Sequence, residues 1–223
     1  MTRSTGAPAV ADLLETAPLS DGVRLLARRG ELRRYAKGTV LINEGDHGDS
    51  IYIILEGRLR IYGSHLANER EITHGTYGPG EYVGEMGLDG GPRSASVMAL
   101  LPTVCSMVTR TTLLAHLAEH PDFALELLSK VIRRARAATL NAKSLALNDV
   151  YGRLKALLES LAEPRADGTR LIGERVTHLE LANRVGCSRE MVTRQLKDLQ
   201  DGGYISAKRG GEMVLLKNLP PRW

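Results

Sequence analysis

Cysteine is scarce in this chain, which has only Cys105 and Cys187 among its 223 residues. The two lie far apart and show no paired spacing. They exclude a disulfide framework and argue against a cysteine-ligated zinc or iron–sulfur site. Because 43% of the residues are hydrophobic and 25% are charged, we expect a core held by ordinary apolar packing. The compartment that fits this composition is the cytoplasm.

Long apolar runs are also missing. No segment approaches twenty consecutive apolar residues, and the first residues, Met1-Thr2-Arg3-Ser4, lead into no long apolar run. A membrane-spanning helix or a secretory signal needs such a run, so the sequence predicts neither. The length of the chain is sufficient for two modest domains.

The usual signatures of an enzyme are absent as well. The sequence has no Walker A loop and no plausible Ser-His-Asp or Cys-His arrangement. His116 and His120 have the i, i+4 spacing of two metal ligands on a helix, but no third ligand accompanies them. We interpret them as surface histidines, and the sequence predicts neither catalysis nor a bound metal.

The positive charge of the chain is concentrated near its C-terminal end. From Arg170 onward there are ten Lys and Arg residues against six Asp and Glu residues, an excess of four. This excess equals the net charge of +4 for the whole chain, so the preceding residues are balanced. A basic segment is typical of a surface that meets the phosphate backbone of a nucleic acid.

Short apolar or alternating runs follow one another between Leu32 and about Thr109. Turn formers separate them: Lys37-Gly38, Glu44-Gly45-Asp46, Glu56-Gly57, Gly78-Pro79-Gly80 and Gly90-Gly91-Pro92. Many short strands with glycine turns at regular spacing predict an antiparallel sandwich or jelly-roll barrel. Two short helical patterns precede this segment, and Ser20 or Asp21 is a plausible N-cap of the second.

A helical period begins after Pro121 and continues to about Asn148. Two series recur there every seven residues and interleave as an a/d seam: Leu128, Ala135 and Ala142, and Val131, Ala138 and Leu145. One interpretation is a helix that packs on its own barrel. The regular seam of small residues favours a close helix pair across the axis of a homodimer. Three arginines of this helix are interpreted as its solvated face: Arg133, Arg134 and Arg136.

Two cap signals near the C-terminal end indicate a helix-turn-helix. Thr177-His178-Leu179-Glu180 is a capping box for one short helix, which runs through Ala182, and Ser188 caps a second helix after the turn Val185-Gly186-Cys187. The second helix has one apolar stripe: Val192, Leu196 and Leu199. Polar residues with the same spacing point the opposite way: Glu190, Arg194 and Lys197.

The polar side of this second helix suits the reading of DNA bases. Arg189 lies in the first turn, the end that enters the groove in helix-turn-helix proteins. An arginine offers two donors to guanine, and a glutamate such as Glu190 accepts from cytosine. The alternative is the solvated face of an ordinary surface helix. The apolar segments that follow flank Lys208-Arg209-Gly210-Gly211 and predict a hairpin with a basic tip, a wing.

The segment from Gly84 to Ala95, which we call the cassette, predicts an anion site. Its glycines let a backbone turn approach an anion closely, with amide N–H groups pointing at it. Arg93 offers a charge-assisted fork to a phosphate, and Ser94 offers a hydroxyl. The alternative is a glycine-rich barrel loop in which Arg93 only pairs with Glu85 or Asp89.

The run from Glu180 to Arg194 closely resembles the signature of the cyclic-AMP receptor protein and fumarate–nitrate regulator (CRP/FNR) family. The barrel and the long helix match that family in order and length, so the resemblance covers nearly the whole chain. It implies a transcription regulator that binds palindromic double-stranded DNA as a homodimer, with RNA polymerase as a further partner. The implied base-reading residues are Arg189, Glu190 and Arg194. The implied phosphate contacts are Thr177 and Ser188, and the wing adds Lys208.

The cassette resembles the phosphate-binding cassette of cyclic-nucleotide-binding barrels. This implies a cyclic nucleotide as ligand, with Glu85 on the ribose 2′-hydroxyl and further contacts from the same segment: Gly84, Met86, Arg93 and Ser94.

The chain departs from that family's pattern in two ways. The cassette is shorter between glutamate and arginine than in the enteric cyclic-AMP receptor. In addition, the threonine–serine pair that holds adenine in cyclic-AMP members corresponds to Ala138 and Thr139, and the first of these lacks a hydroxyl. A cyclic-AMP-like mononucleotide near Thr139 is our first choice, while cyclic GMP, cyclic di-GMP or no nucleotide remain open.

Taken together, the sequence predicts an α+β protein with three parts. They are an N-terminal antiparallel β jelly-roll of the cyclic-nucleotide-binding type (residues 1–120), a long dimerisation helix (121–148) and a C-terminal winged helix-turn-helix (149–223). Whether such a regulator activates or represses is left open.

Overall fold

The computed structural model describes residues 10–65, 70–173, 175–207 and 212–222. The chain divides into two compact units. The first contains the chain up to Gly63 together with Thr73–Arg134, and the second contains Ser64–Ile72 together with the chain from Ala135 onward.

Two short helices open the described chain, α1 (Val10–Thr16) and α2 (Asp21–Ala27). The hydroxyl oxygen of Ser20 accepts a hydrogen bond from the amide of Val23, so Ser20 is the N-cap of α2. Of the two caps that the sequence allowed, Ser20 is confirmed.

In the part of the barrel that the structure describes, eight strands form two four-stranded sheets. They are β1 (Glu31–Tyr35), β2 (Val40–Ile42), β3 (Ser50–Glu56), β4 (Leu59–His65), β5 (Arg70–Tyr77), β6 (Tyr82–Val83), β7 (Ser96–Ala99) and β8 (Thr103–Thr109). The sheet orders are β1-β8-β3-β6 and β2-β7-β4-β5. The pairs β1–β8, β3–β8, β3–β6, β2–β7 and β4–β7 are antiparallel. The predicted antiparallel β domain is confirmed.

The side chains of β3 fill two separate apolar clusters, because successive residues of a strand point to opposite faces. Ile51 and Ile53 pack with α1, α2 and the adjoining helices. Tyr52 and Ile54 pack in the cluster between the sheets, which also contains Cys105 of β8. A strand buried on both faces reads as one continuous apolar run in the sequence.

Helix α3 (Arg110–Glu119) leads into the long helix α4 (Phe123–Leu147). Helix α4 lies within the segment 121–148, for which the sequence predicts one long helix. Only Phe123 and Lys130 are buried along α4 in the single chain. Every residue from Ala135 to Lys143 is exposed.

The described residues after α4 form three helices and a four-stranded sheet. They are α5 (Val150–Leu161), β9 (Glu163–Pro164), β10 (Arg170–Ile172), α6 (His178–Val185), α7 (Arg189–Asp201), β11 (Ile205–Ala207) and β12 (Met213–Leu215). The sheet order is β11-β12-β10-β9. The helices pack on one apolar core, whose fully buried members include Leu154, Leu158 and Leu199. This architecture matches the predicted winged helix-turn-helix.

The prediction of two surface histidines is wrong for His116. Its side chain is fully buried, and its ring makes an edge contact with Phe123 at a centroid distance of 5.0 Å. The ring of His120 lies 4.7 Å away. Within the described residues, no cluster of three His, Cys, Asp or Glu side chains could hold a metal ion. In the same part of the chain, no helix is long and apolar enough to cross a membrane.

Candidate functional site

The helix-turn-helix is built by its caps. The hydroxyl of Thr177 accepts from the amide of Glu180 at 3.1 Å and begins α6. The hydroxyl of Ser188 accepts from the amide of Met191 at 3.2 Å and begins α7. Between them, Gly186 ends α6 at a φ of +75°, a left-handed conformation that favours glycine. Both predicted caps are confirmed, and α6 extends three residues beyond the predicted end at Ala182.

Helix α7 separates its apolar and polar residues as the sequence predicts. Its buried residues are Val192, Leu196 and Leu199. Its exposed residues include Arg189, Glu190, Arg194 and Lys197. The structure therefore brings the three predicted base-reading side chains together on the exposed part of one helix, where arginine and glutamate are able to reach base edges.

One polar contact joins the two helices on their exposed side. His178 Nδ1 lies 2.9 Å from the hydroxyl of Thr193, which connects the first turn of α6 to the middle of α7. Neither residue is among the predicted site residues. Strands β11 and β12 pair with Ile205 opposite Leu215 and form the predicted hairpin. Its tip, with Lys208, lies outside the described residues.

The cassette is organised around Gly84 and Arg93. Gly84 has a φ of +92° and precedes a 3₁₀ turn at Glu85–Gly87. A Cβ atom at this position would lie 2.8 Å from the carbonyl oxygen of Ser50 and 3.0 Å from Arg93 Nη1. The close approach of backbone and guanidinium therefore requires glycine here.

Arg93 is 7% exposed, and its guanidinium is held by backbone carbonyls. Its Nη1 donates to the carbonyl oxygen of Gly84 at 2.6 Å, and its Nη2 donates to that of Ser50 at 2.9 Å. The alternative in which Arg93 pairs with Glu85 or Asp89 is not what the described chain shows. These two bonds use two of the five N–H donors that a guanidinium carries.

Glu85 is instead paired with Arg134 of α4, at 2.7 Å between Oε2 and Nη1. Arg134 also donates to the carbonyl oxygen of Tyr82 and lies over the Tyr77 ring, 4.5 Å from its centre. Glu81 adds a second carboxylate at 3.5 Å. Burial is the largest single influence on Arg134 and disfavours its charge, but Glu85, Tyr77 and Glu81 together outweigh this effect and the pKa of Arg134 is raised. The carboxylate of the cassette is thus bound to the long helix within the first unit.

The prediction that Arg134 belongs to a solvated face is therefore wrong, and this residue is not among the predicted site residues. A signal for it was present. Phe123, Lys130 and Arg134 are spaced seven and four residues apart, which places them on one side of a helix. That side is the one buried against the barrel, whereas Arg133 and Arg136 are exposed.

The other predicted ligand contacts are exposed. The hydroxyl of Ser94 lies 3.3 Å from the sulfur of Met86, so these two side chains meet at the edge of the cassette. Thr139 belongs to the second unit, and its hydroxyl donates to the carbonyl oxygen of Ala135 at 3.0 Å. Thr139 is exposed.

All six residues of the predicted seam are exposed in the single chain: Leu128, Val131, Ala135, Ala138, Ala142 and Leu145. Leu140, on the same helix, is 60% exposed. Helix α4 therefore presents an apolar stripe to solvent. Such a stripe is typical of a surface that another protein surface covers.

Comparison with known proteins identifies both parts of the chain. The family described as Cyclic nucleotide-binding domain matches residues 32–120, and the family described as Crp-like helix-turn-helix domain matches residues 152–220. A similar protein is the CRP-like cAMP-activated global transcriptional regulator of Mycobacterium tuberculosis, 30% identical over 188 residues. The match covers 82% of this chain and 83% of that protein.

Two further matches come from Xanthomonas campestris. The CRP-like protein Clp is 35% identical over 195 residues, which cover 82% of this chain and 83% of Clp. A solved structure described as the c-di-GMP responsive global regulator CLP superposes with a TM-score of 0.78 at 28% identity. It covers 88% of this chain and 98% of that one.

Proposed function

Because this chain belongs to the CRP/FNR family of transcription regulators, we propose that it is a homodimeric regulator controlled by a cyclic nucleotide. It binds DNA through its Crp-like helix-turn-helix. The proposed finer features are a palindromic target, a symmetric dimer, RNA polymerase as a partner and a nucleotide in the cassette.

The observation that carries the ligand part of the proposal is the fixed guanidinium of Arg93. Its bonds to the carbonyl oxygens of Gly84 and Ser50 set its position before any ligand arrives. A cyclic phosphate at this turn would meet a charged fork that is already ordered, which lowers the entropy cost of binding. Gly84, Met86 and Ser94 are the remaining proposed contacts within the cassette.

Glu85 supports the same assignment. Its side chain is 12% exposed and is oriented by Arg134. A carboxylate has several lone pairs, so Glu85 is able to accept from a ribose hydroxyl while it keeps one bond to the guanidinium. The proposed ligand therefore contacts a residue that is directly attached to α4.

The DNA-binding part of the proposal rests on α7. Arg189 and Arg194 are proposed to donate to guanine, and Glu190 is proposed to accept from cytosine. Thr177 and Ser188, at the starts of α6 and α7, are proposed phosphate contacts because helix N-termini favour anions.

The dimer is proposed from the apolar stripe of α4. Small residues such as Ala135, Ala138 and Ala142 let two helices approach closely when they pack along a seam. Two copies related by a twofold axis place two recognition helices for two half-sites, which is why we propose a palindromic target.

The ligand is proposed to be a cyclic-AMP-like mononucleotide first, with cyclic GMP and cyclic di-GMP as alternatives. The M. tuberculosis relative is named cAMP-activated, whereas the X. campestris structure is described as c-di-GMP responsive. Ala138 lacks the hydroxyl that cyclic-AMP members use. Thr139 stays a proposed base contact from its sequence position.

A second candidate is a constitutive DNA-binding regulator whose barrel binds no nucleotide. One observation favours it, because Glu85 and Arg93 both have partners within the protein. Both groups would then have a structural role only.

One experiment separates the two candidates. A preferred duplex is selected from a randomised palindromic library with the purified chain. Fluorescence anisotropy then gives its affinity with and without cyclic AMP, cyclic GMP and cyclic di-GMP, for the wild type and for Arg93→Ala. We expect one nucleotide to change the wild-type affinity and to have no effect on Arg93→Ala. Equal wild-type affinities with every nucleotide would favour the constitutive regulator.

A further inference from the structure

Lys130 lies one helical turn before Arg134 on α4 and is only 8% exposed. Its Nζ donates to the carbonyl oxygen of Gly80 at 2.8 Å and lies 4.6 Å from the centre of the Tyr82 ring. A carboxylate oxygen of Glu81 is 3.9 Å away. A carbonyl, an aromatic face and a carboxylate offset part of the cost of burying this charge, although burial still lowers the pKa of Lys130.

The turn that Lys130 contacts is bonded firmly to the sheet. The amide of Gly80 donates to the carbonyl oxygen of Ile54 at 3.1 Å, and the amide of Ile54 donates to that of Glu81 at 2.9 Å. Ile54 is fully buried in β3, which pairs with β8 and β6. Lys130 therefore binds α4 to a turn of the barrel whose backbone is hydrogen-bonded to the sheet.

Arg134 binds the same side of α4 to the barrel one turn later, but its close ion-pair partner is Glu85 of the cassette. From Ala135 to Lys143 every residue is exposed. Helix α4 thus contacts the barrel through polar side chains at two adjacent positions, Lys130 and Arg134. A ligand at Glu85 would act directly on the contact at Arg134. The polar partners of Lys130, Gly80 and Glu81, precede the cassette in the chain, and Glu81 also lies 3.5 Å from Arg134.

We propose that Lys130 is a positioning residue that couples nucleotide binding to the DNA-binding part of the chain. It keeps one point of α4 fixed, so that a change in the Arg134–Glu85 contact tilts the following part of the helix. Without that fixed point, the same change only shifts α4 locally and does not tilt the residues that follow. The inference rests on the proposed function, because it requires a nucleotide that acts at Glu85.

The coupling is a free energy that is separate from the affinity for the nucleotide. If Lys130 only keeps one point of α4 fixed, its loss changes the effect of the nucleotide on DNA affinity and leaves the nucleotide affinity nearly unchanged. A residue that is needed only for general stability lacks this signature, because its loss weakens nucleotide binding and DNA binding alike. This difference makes the role of Lys130 measurable.

The test uses Lys130→Met, which keeps the length of the side chain but removes its charge and its donors. The full chain is titrated with cyclic AMP, cyclic GMP and cyclic di-GMP by calorimetry. The selected duplex is then titrated with and without saturating nucleotide by fluorescence anisotropy. We expect the nucleotide Kd to change by less than about threefold, while the ratio of the two DNA affinities falls roughly three- to thirtyfold.

Two further variants sharpen the result. Lys130→Arg keeps the charge and the donors, so the ratio of its DNA affinities with and without nucleotide should stay close to the wild-type ratio. Arg133→Met removes an exposed charge from the residue directly before Arg134. It should leave the nucleotide Kd and the ratio of DNA affinities unchanged. Circular dichroism establishes that each variant folds, and Lys130→Gln takes the place of Lys130→Met if the latter does not.

An unchanged affinity ratio in Lys130→Met overturns the proposal. So does a nucleotide Kd that rises more than about tenfold, because Lys130 would then belong to the binding site itself. A wild type that shows no response to any of the three nucleotides overturns the proposed function and the coupling role together. That failure is recognised from the wild type alone.

Discussion

The guanidinium of Arg153, in the first turn of α5, donates from Nε to the carbonyl oxygen of Val185 at 2.9 Å. Val185 is the last residue of α6. The same guanidinium donates from Nη1 to the carbonyl oxygen of Asn148, just after α4, at 2.7 Å. One side chain thus satisfies carbonyl groups at two helix ends, where intrahelical donors are lacking.

Arg153→Met should weaken the local stability of α6, because the carbonyl of Val185 loses a charged donor while the side-chain stem is kept. We expect the free energy of local opening to fall by about 2 kcal/mol. Hydrogen–deuterium exchange of the α6 amides measures this quantity. Arg165→Met, in the exposed loop before β10, is the control, and equal exchange in both variants would contradict the prediction.

Substitutions on the exposed face of α7 should change sequence discrimination. Arg189→Ala and Arg194→Ala should each cost about 1–3 kcal/mol on the selected duplex and relax specificity at one base position. Competition binding against duplexes with single base changes measures both effects. Full discrimination in both variants would show that α7 is not the reading helix.

The predicted wing should act differently. Lys208→Ala should weaken binding to all duplexes alike and flatten the salt dependence, because a phosphate contact carries no base information. The measurement is DNA affinity across a series of salt concentrations for specific and scrambled duplexes. A loss confined to the specific duplex would instead indicate base reading by the wing.

Ala135→Glu should dissociate the proposed dimer, because a carboxylate in a dry helix seam faces its own symmetry mate. Sedimentation equilibrium of the full chain gives the oligomeric state. Arg136→Glu places the same charge on the neighbouring residue, which is exposed but outside the seam. A dimer that persists in Ala135→Glu would move the interface to another surface.

The buried imidazole of His116 should make the protein sensitive to mild acid. Burial lowers the pKa of His116; His120 and Arg29 act in the same direction, and Glu119 opposes them. The folded state therefore resists a proton that the unfolded chain accepts, and the free energy of unfolding should fall as the pH drops below about 6.5. Urea unfolding between pH 5 and 8 should show a shallower pH slope in His116→Phe than in His47→Gln, an exposed control.

The sequence is most informative where the determinants are local. The caps of α6 and α7 depend on a hydroxyl and an amide three residues apart, so Thr177 and Ser188 could be identified from spacing alone. The two ends of α4 follow from the change of hydrophobic period. The exposed and buried sides of α7 follow from the same short-range rule.

The sequence is least informative where partners lie far apart along the chain. The pairing of Arg134 with Glu85 joins a helix to a turn before β7. Helical spacing places Arg134 on the same side of α4 as Phe123 and Lys130, but it does not indicate which residue of the barrel pairs with it. The burial of His116 likewise depends on packing among helices rather than on its i, i+4 neighbour. Such contacts are set by tertiary packing, which composition and periodicity do not encode.

The two cysteines differ in burial, so a thiol reagent should distinguish between them. Burial raises the pKa of the Cys105 thiol to about 12, so at neutral pH this residue is protonated and shielded from alkylating reagents. Cys187, in the turn directly before α7, is partly exposed. A maleimide fluorophore or spin label should therefore attach at Cys187 in the unmodified sequence. Movements of α7 then become visible to spectroscopy without any engineered cysteine.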